Sequence, residues 1–195
     1  MRTSAEPTTP EPSPTSGVIP TFEAVYEQHV DDVWRAARRL GVHDAALEDI
    51  VQEVFIVVHH KLAAFEGRSS LKTWLYGIAL MVVRNHRRGR RRKPMDLGEG
   101  AEIALSNAPI SEREQPDVLA ERRRAGATVH AILDHLSDDL REALVMAELE
   151  GMSGPEIAEV TGLKVATVYG RIRTARAKFN EALNDRLDLQ PRSTP

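Results

Sequence analysis

The stretch from 153 to 177, SGPEIAEVTGLKVATVYGRIRTARA, decides how the C-terminal half of this chain folds. Ser153 and Glu156 have the spacing of a capping box, and Pro155 suits the first turn of a helix. Gly162 ends that helix, and a second helix follows with Val168 on its inner face. Two helices joined by a short glycine turn are typical of a helix-turn-helix.

The outward face of the second helix combines small residues with arginines. Such a face lets the helix backbone approach base edges in a DNA major groove, while guanidinium groups reach bases or phosphates. The candidate DNA-reading residues are Ala166, Thr167, Tyr169, Gly170, Arg171, Arg173, Thr174 and Arg176. The alternative is a helical hairpin with a solvated basic face.

A second concentration of positive charge lies earlier in the chain. Residues 84–93, RNHRRGRRRK, contain seven lysines or arginines and no acid, although the whole chain has a net charge of −3. This run ends an apolar helical segment that contains Thr73-Trp74-Leu75-Tyr76. A cationic helix end beside aromatic residues suits a polyanion whose bases can be stacked upon. The alternative is a solvated helix terminus.

The apolar pattern is helical throughout and predicts an all-α fold with two small helical domains. The expected organisation is a disordered tail over residues 1–20, a helical domain over 21–93, a linker over 94–117, a helical domain over 118–184 and a disordered tail over 185–195. Six acids against one base mark the linker as acidic. Its length and composition predict two modules that move relative to each other.

Composition argues against several classes of protein. The chain has no cysteine, which excludes disulfides, thiolate metal sites and a cysteine nucleophile. No apolar stretch is long enough to cross a bilayer, so we expect a cytoplasmic protein without membrane insertion. His59 and His60 lack the spaced partners of a metal site, and no glycine loop precedes a lysine. We therefore expect no enzyme, no metal and no cofactor.

Two stretches together resemble the extracytoplasmic function (ECF) subfamily of the sigma-70 family of bacterial RNA polymerase sigma factors. Residues 48–55, EDIVQEVF, with Phe65-Glu66-Gly67 and residues 73–79, TWLYGIA, are similar to the promoter-melting domain called region 2. The stretch from Leu136 to Leu183 resembles region 4. It does so through Glu156-Ile157-Ala158, Thr167-Val168, Arg171 and Ala175-Arg176. The resemblance covers the chain from Phe22 to Leu183.

The resemblance implies a transcription initiation factor that directs core RNA polymerase to specific promoters, binds the −35 element with region 4 and opens the −10 region. It implies that Glu48, Asp49, Gln52 and Glu53 dock on the clamp helices of the polymerase's largest subunit. Phe65 would capture a flipped base, with a core phenylalanine as the competing interpretation. The other residues implied in −10 recognition and melting are Arg68, Ser69, Lys72, Trp74, Met81, Arg84, Arg87, Arg88 and Arg91. An inhibitory anti-sigma factor is also implied as a partner.

The chain departs from the family pattern at three positions. Met81 stands where the family often has asparagine, Gly77 where arginine is common, and Tyr169 where a basic residue is common. Methionine lacks the paired donor and acceptor of an amide, so the −10 preference of better-known members is not expected to carry over.

Two other classes of protein remain open at this point. One is a helix-turn-helix regulator that acts on duplex operators without the polymerase. The other is an interaction protein of a signalling cascade, whose helical blocks clasp another protein. Co-purification with core polymerase, followed by a test of promoter-dependent transcription, distinguishes these two classes from a sigma factor and from each other.

Overall fold

The computed structural model describes residues 20–92 and 116–188, and no strand occurs within them. The prediction of an all-α fold is therefore confirmed. The helices are α1 (Phe22–Arg39), α2 (Asp44–Lys61), α3 (Leu71–Arg92), α4 (Pro116–Asp134), α5 (Asp138–Leu144), α6 (Gly154–Thr161) and α7 (Val165–Asp188). A short 3-10 turn, Leu62–Ala64, follows α2, and a π-helical turn, Val145–Leu149, extends α5.

The N-terminal module is a bundle of α1, α2 and α3. Thr21 caps α1 by accepting a hydrogen bond from the backbone nitrogen of Ala24 at 3.3 Å. The apolar faces of the three helices meet in a core whose most deeply buried large side chains include Leu40, Leu47 and Leu80. Three amphipathic helices bury one face each in this way, and their polar faces remain exposed.

The C-terminal module is built around the helix-turn-helix that the sequence predicts. The capping box is complete, since the Glu156 carboxylate accepts from the Ser153 backbone nitrogen at 2.8 Å and Ser153 Oγ accepts from the Glu156 nitrogen at 3.4 Å. The Ser153 hydroxyl also donates to the Glu156 carboxylate at 2.6 Å, and this hydrogen bond, together with the one from the Ser153 backbone nitrogen, lowers the pKa of Glu156. Gly162 ends α6 in the left-handed region at φ 70°. Val168 of α7 is buried against this unit, as predicted.

The two modules are in contact through α3 and α6. A Cβ placed on Gly77 of α3 would lie 3.7 Å from a methyl carbon of Val160 on α6, which is ordinary van der Waals distance. Buried apolar residues of both modules form one continuous cluster. The sequence predicts modules that move relative to each other, whereas this structure shows them packed together.

Two segment boundaries differ from those predicted. Helix α4 begins at Pro116, inside the predicted linker, because proline fits the first turn of a helix. Helix α7 continues to Asp188, past the predicted start of the tail at 185, because no glycine or proline interrupts it. Three parts of the predicted organisation lie outside the described residues. They are the N-terminal tail except Pro20, residues 94–115 of the linker, and the C-terminal tail from residue 189. The domain boundaries themselves stay a prediction.

Leu80→Ala should lower the free energy of unfolding by about 2–5 kcal/mol, because it removes a side chain that is 1% exposed and leaves a cavity. Urea denaturation followed by circular dichroism measures this change. Met81→Ala, at the neighbouring position that is 37% exposed, is the control and should cost about 1 kcal/mol or less. Equal losses for the two variants would contradict this assignment of the core.

Candidate nucleic-acid interface

Helix α7 presents its predicted reading face to solvent. Val168, Ile172 and Ala175 are buried, so the positions between them point outward. Among the candidate DNA-reading residues, the exposed ones are Ala166, Thr167, Tyr169, Arg173, Thr174 and Arg176, whereas Gly170 and Arg171 are half-buried. The face that the sequence predicts is therefore accessible, and its role in reading DNA stays a prediction.

The arginines of α7 fall into two groups. Arg171 donates to Asp139 at 2.7 Å, and Arg176 donates to Glu148 at 2.7 Å, so both are oriented by α5 and the turn that follows it. Arg173 is exposed and forms no ion pair within the described residues. Arg173 is thus the arginine of this face that carries an uncompensated charge.

The loop between α2 and α3 places an aromatic pair at the surface of the N-terminal module. Phe65 follows the 3-10 turn, and its ring centroid lies 5.1 Å from that of Trp74. Both rings are half-buried, and Trp74 also packs against the core. Phe65 is not one of the buried core residues, so it keeps a partly open ring face on which a base can stack.

Polar residues of this loop are held locally. Arg68 donates from Nε to Glu66 at 2.6 Å, and both side chains are exposed. Ser69 is half-buried, and Ser70 begins α3 by accepting from the Thr73 backbone nitrogen at 3.0 Å. Met81, 37% exposed, lies two turns along α3 from Trp74 and therefore on the same side of the helix.

The basic residues of α3 lie in two settings. Arg88 is exposed, and within the described residues it donates to Asn85 alone, at 2.7 Å. Arg84 and Arg87 instead contact the C-terminal module, as does Lys72 near the start of the helix. The side chain of Arg91 lies outside the described part of the chain. The family resemblance implies a role in −10 recognition and melting for all of these residues, and the sequence indicates no protein partner for any of them.

Glu142 of α5 accepts two of these arginines. Arg84 donates to one of its carboxylate oxygens at 2.6 Å through Nη2 and at 3.1 Å through Nε. Arg87 donates to the other oxygen at 2.9 Å. The Glu142 side chain is 3% exposed, so its negative charge is desolvated and compensated by both guanidinium groups. Arg87 also lies 3.4 Å from Asp138 and donates to the Leu40 carbonyl.

Glu150, at the end of the π-helical turn, forms a second ionic contact between the modules. Arg39 of α1 donates to it at 2.8 Å, and the ammonium of Lys72 lies 3.4 Å from its other oxygen. The Glu150 side chain is 6% exposed. The sequence shows no signal for Glu142 or Glu150, because a glutamate in a helical segment is ordinarily solvated.

Tyr76 and Arg141 are two further buried polar residues, and both are close enough to Glu142 to feel its charge. The Tyr76 hydroxyl is buried and has no hydrogen-bond partner within residues 20–92 and 116–188. Burial raises the pKa of Tyr76 well above its usual value, and the charges of Glu150 and Glu142 add to this. The Arg141 guanidinium fills the position where a side chain on Gly41 would begin, and Arg141 donates to Leu133 at 2.8 Å. Burial lowers the pKa of Arg141.

Helix α2 carries a separate polar surface. The four residues predicted to dock on the polymerase are all exposed, and they are Glu48, Asp49, Gln52 and Glu53. Beside them lies an open groove of about 820 Å³ between α1 and α2. Glu48 and Gln52 line this groove together with apolar side chains such as Tyr26 and Ile56. A polar rim around apolar surface is the usual anatomy of a protein-binding face.

The described residues lack two further kinds of feature. No group of three or more His, Asp or Glu side chains could hold a metal ion there. No helix in that part of the chain is long and apolar enough to cross a membrane.

Comparison with known families assigns both modules. Residues 25–93 match the family described as Sigma-70 region 2, and residues 127–179 match Sigma-70, region 4. RNA polymerase sigma-H factor of Pseudomonas aeruginosa is 39% identical over 146 residues, which are 73% of this chain and 76% of that protein. RNA polymerase sigma factor CnrH of Cupriavidus metallidurans is 31% identical over 171 residues, covering 87% and 90% of the two chains.

Solved structures agree with this assignment. CnrH in complex with the cytosolic domain of CnrY is similar with a TM-score of 0.59 and 29% identity, over 84% of this chain and 88% of that chain. RpoE in complex with the anti-sigma factor NepR, from Bartonella quintana, shares the fold with a TM-score of 0.63 and 24% identity, over 84% and 96% of the chains.

The family matches define the chain as a sigma-70-type transcription initiation factor rather than a member of an enzyme family. It belongs to the ECF subfamily of RNA polymerase sigma factors, as the resemblance of its two motifs implies.

Proposed function

We propose that this sigma factor binds core RNA polymerase in the cytoplasm, places α7 in the major groove of the −35 element and opens the −10 region with the Phe65 loop and α3. The observation that carries this proposal is the joint presence of an accessible recognition helix in one module and a partly exposed aromatic pair in the other. One surface suits duplex DNA and the other suits unpaired bases.

The exposed acidic face of α2 supports docking on the clamp helices of the polymerase's largest subunit. Glu48, Asp49, Gln52 and Glu53 form no salt bridge within the described residues, so their polar groups are available to a partner. The adjacent groove adds apolar surface that a helical partner can bury. The solved relatives CnrH and RpoE are bound by CnrY and by the anti-sigma factor NepR, and we propose an anti-sigma partner for this chain as well.

Strand opening in this scheme needs no catalysis. A protein that binds the unpaired strand more tightly than the duplex shifts the equilibrium toward the open state by that difference in affinity. Phe65 and Trp74 supply stacking surface, Arg88 supplies an exposed positive charge, and Met81 lies on the same side of α3 as Trp74. The roles of Arg68, Ser69 and Arg91 in melting remain predictions from the resemblance.

Reconstituted transcription tests the proposal directly. Core polymerase, this protein and a library of genomic promoters should give discrete run-off transcripts that are absent without the protein. If the protein binds operators but RNA synthesis never depends on it, a polymerase-independent helix-turn-helix regulator is the correct class. If it binds neither polymerase nor DNA, the correct class is an interaction protein whose helical modules bind another protein.

Phe65→Ala should reduce opening of the −10 region while leaving duplex binding at −35 intact. Stacking of a base on an aromatic side chain stabilises by about 1–3 kcal/mol, which corresponds to about 5–150-fold in the open fraction. Permanganate reactivity of unpaired thymines measures opening, and a gel shift with a −35 duplex is the control. Equal loss in both assays would assign Phe65 a structural role instead.

A further inference from the structure

Gly154 and Tyr169 are in direct contact across the helix-turn-helix. Gly154 is the first residue of α6 and is buried. A Cβ at this position would lie 2.5 Å from Cζ and 2.7 Å from the oxygen of Tyr169. Real side chains do not tolerate such distances, so the end of the phenol ring occupies the space that the missing side chain leaves.

The backbone does not explain the glycine at this position. Gly154 is not among the glycines with positive φ, and glycine is a poorer helix former than alanine. Ser153 already provides the cap of α6. What distinguishes glycine here is its contact with the Tyr169 ring, since the Cβ of any other residue would push that ring aside.

The rest of the ring is open. Tyr169 is 56% exposed on the first turns of α7, and it makes no hydrogen bond within the described residues. N-terminal residues of a recognition helix are the ones that contact base edges. Arg171 and Arg176 are paired to carboxylates, whereas Tyr169 and Arg173 are the large side chains of this face that form no hydrogen bond or ion pair within the described residues.

We infer that Tyr169 reads a base pair of the −35 element through its ring, and that Gly154 is the positioning residue that fixes the direction of that ring. This inference rests on the proposed function of α7 and deepens it. The hydroxyl end of the ring lies against Gly154, so the open part of the ring offers apolar surface that suits the 5-methyl group of thymine. Gly154 acts only through Tyr169.

A promoter library randomised across the −35 element tests whether Tyr169 reads a base and whether Gly154 positions it. Holoenzymes containing wild-type protein, Tyr169→Ala, Gly154→Ala and the double variant are compared by sequencing the transcripts. Tyr169→Ala should lower the preference for thymine at one position by about fivefold or more. Gly154→Ala should give a similar loss at that same position, because its methyl group displaces the ring. The double variant should match Tyr169→Ala alone.

Several outcomes overturn this inference. The first is that Gly154→Ala leaves the −35 sequence preference unchanged. The second is that Gly154→Ala changes this preference by the same amount in the wild-type and Tyr169→Ala backgrounds. The third is that Gly154→Ala lowers transcription from all promoters alike. The −10 profile is the internal control and should stay constant. Failure of the proposed function is distinguishable, because wild-type holoenzyme would then show no −35 preference at all.

Discussion

The burial of two carboxylates, Glu142 and Glu150, is the interaction on which the arrangement of this molecule depends. A buried carboxylate without a partner costs several kcal/mol, so each of these groups can leave water only while cations of the other module surround it. Arg84, Arg87 and Arg39 provide that compensation at 2.6–2.9 Å. The positive charge that suits a nucleic-acid backbone therefore also sets how the two modules pack.

Local features of the fold could be predicted from the sequence because they depend on neighbours in the chain. The capping box of Ser153 and Glu156, the left-handed Gly162 and the buried Val168 all follow from residues within one or two helical turns. The family resemblance had the same basis, since both motifs are short and ordered along the chain. The exposed faces of α2 and α7 followed from helical periodicity alone.

Partners that are distant in sequence could not be predicted in this way. Arg84 and Glu142 are 58 residues apart, and nothing in either segment indicates the other. Gly154 illustrates the same limit within one motif. Nothing in the sequence around Gly154 indicates Tyr169, and the contact between them became visible only in the packing of α6 against α7. Packing between elements, rather than propensity within them, decides these positions.

The two surfaces that are proposed to face DNA differ in which of their charged groups are already paired. On α7, Tyr169 and Arg173 are open to solvent in the packed arrangement. On α3, Lys72, Arg84 and Arg87 are paired with carboxylates of the C-terminal module. A phosphate would have to compete with a carboxylate for each of these cations, whereas Arg173 has no such competitor within the described residues. The proposed function therefore demands a larger rearrangement around α3 than around α7.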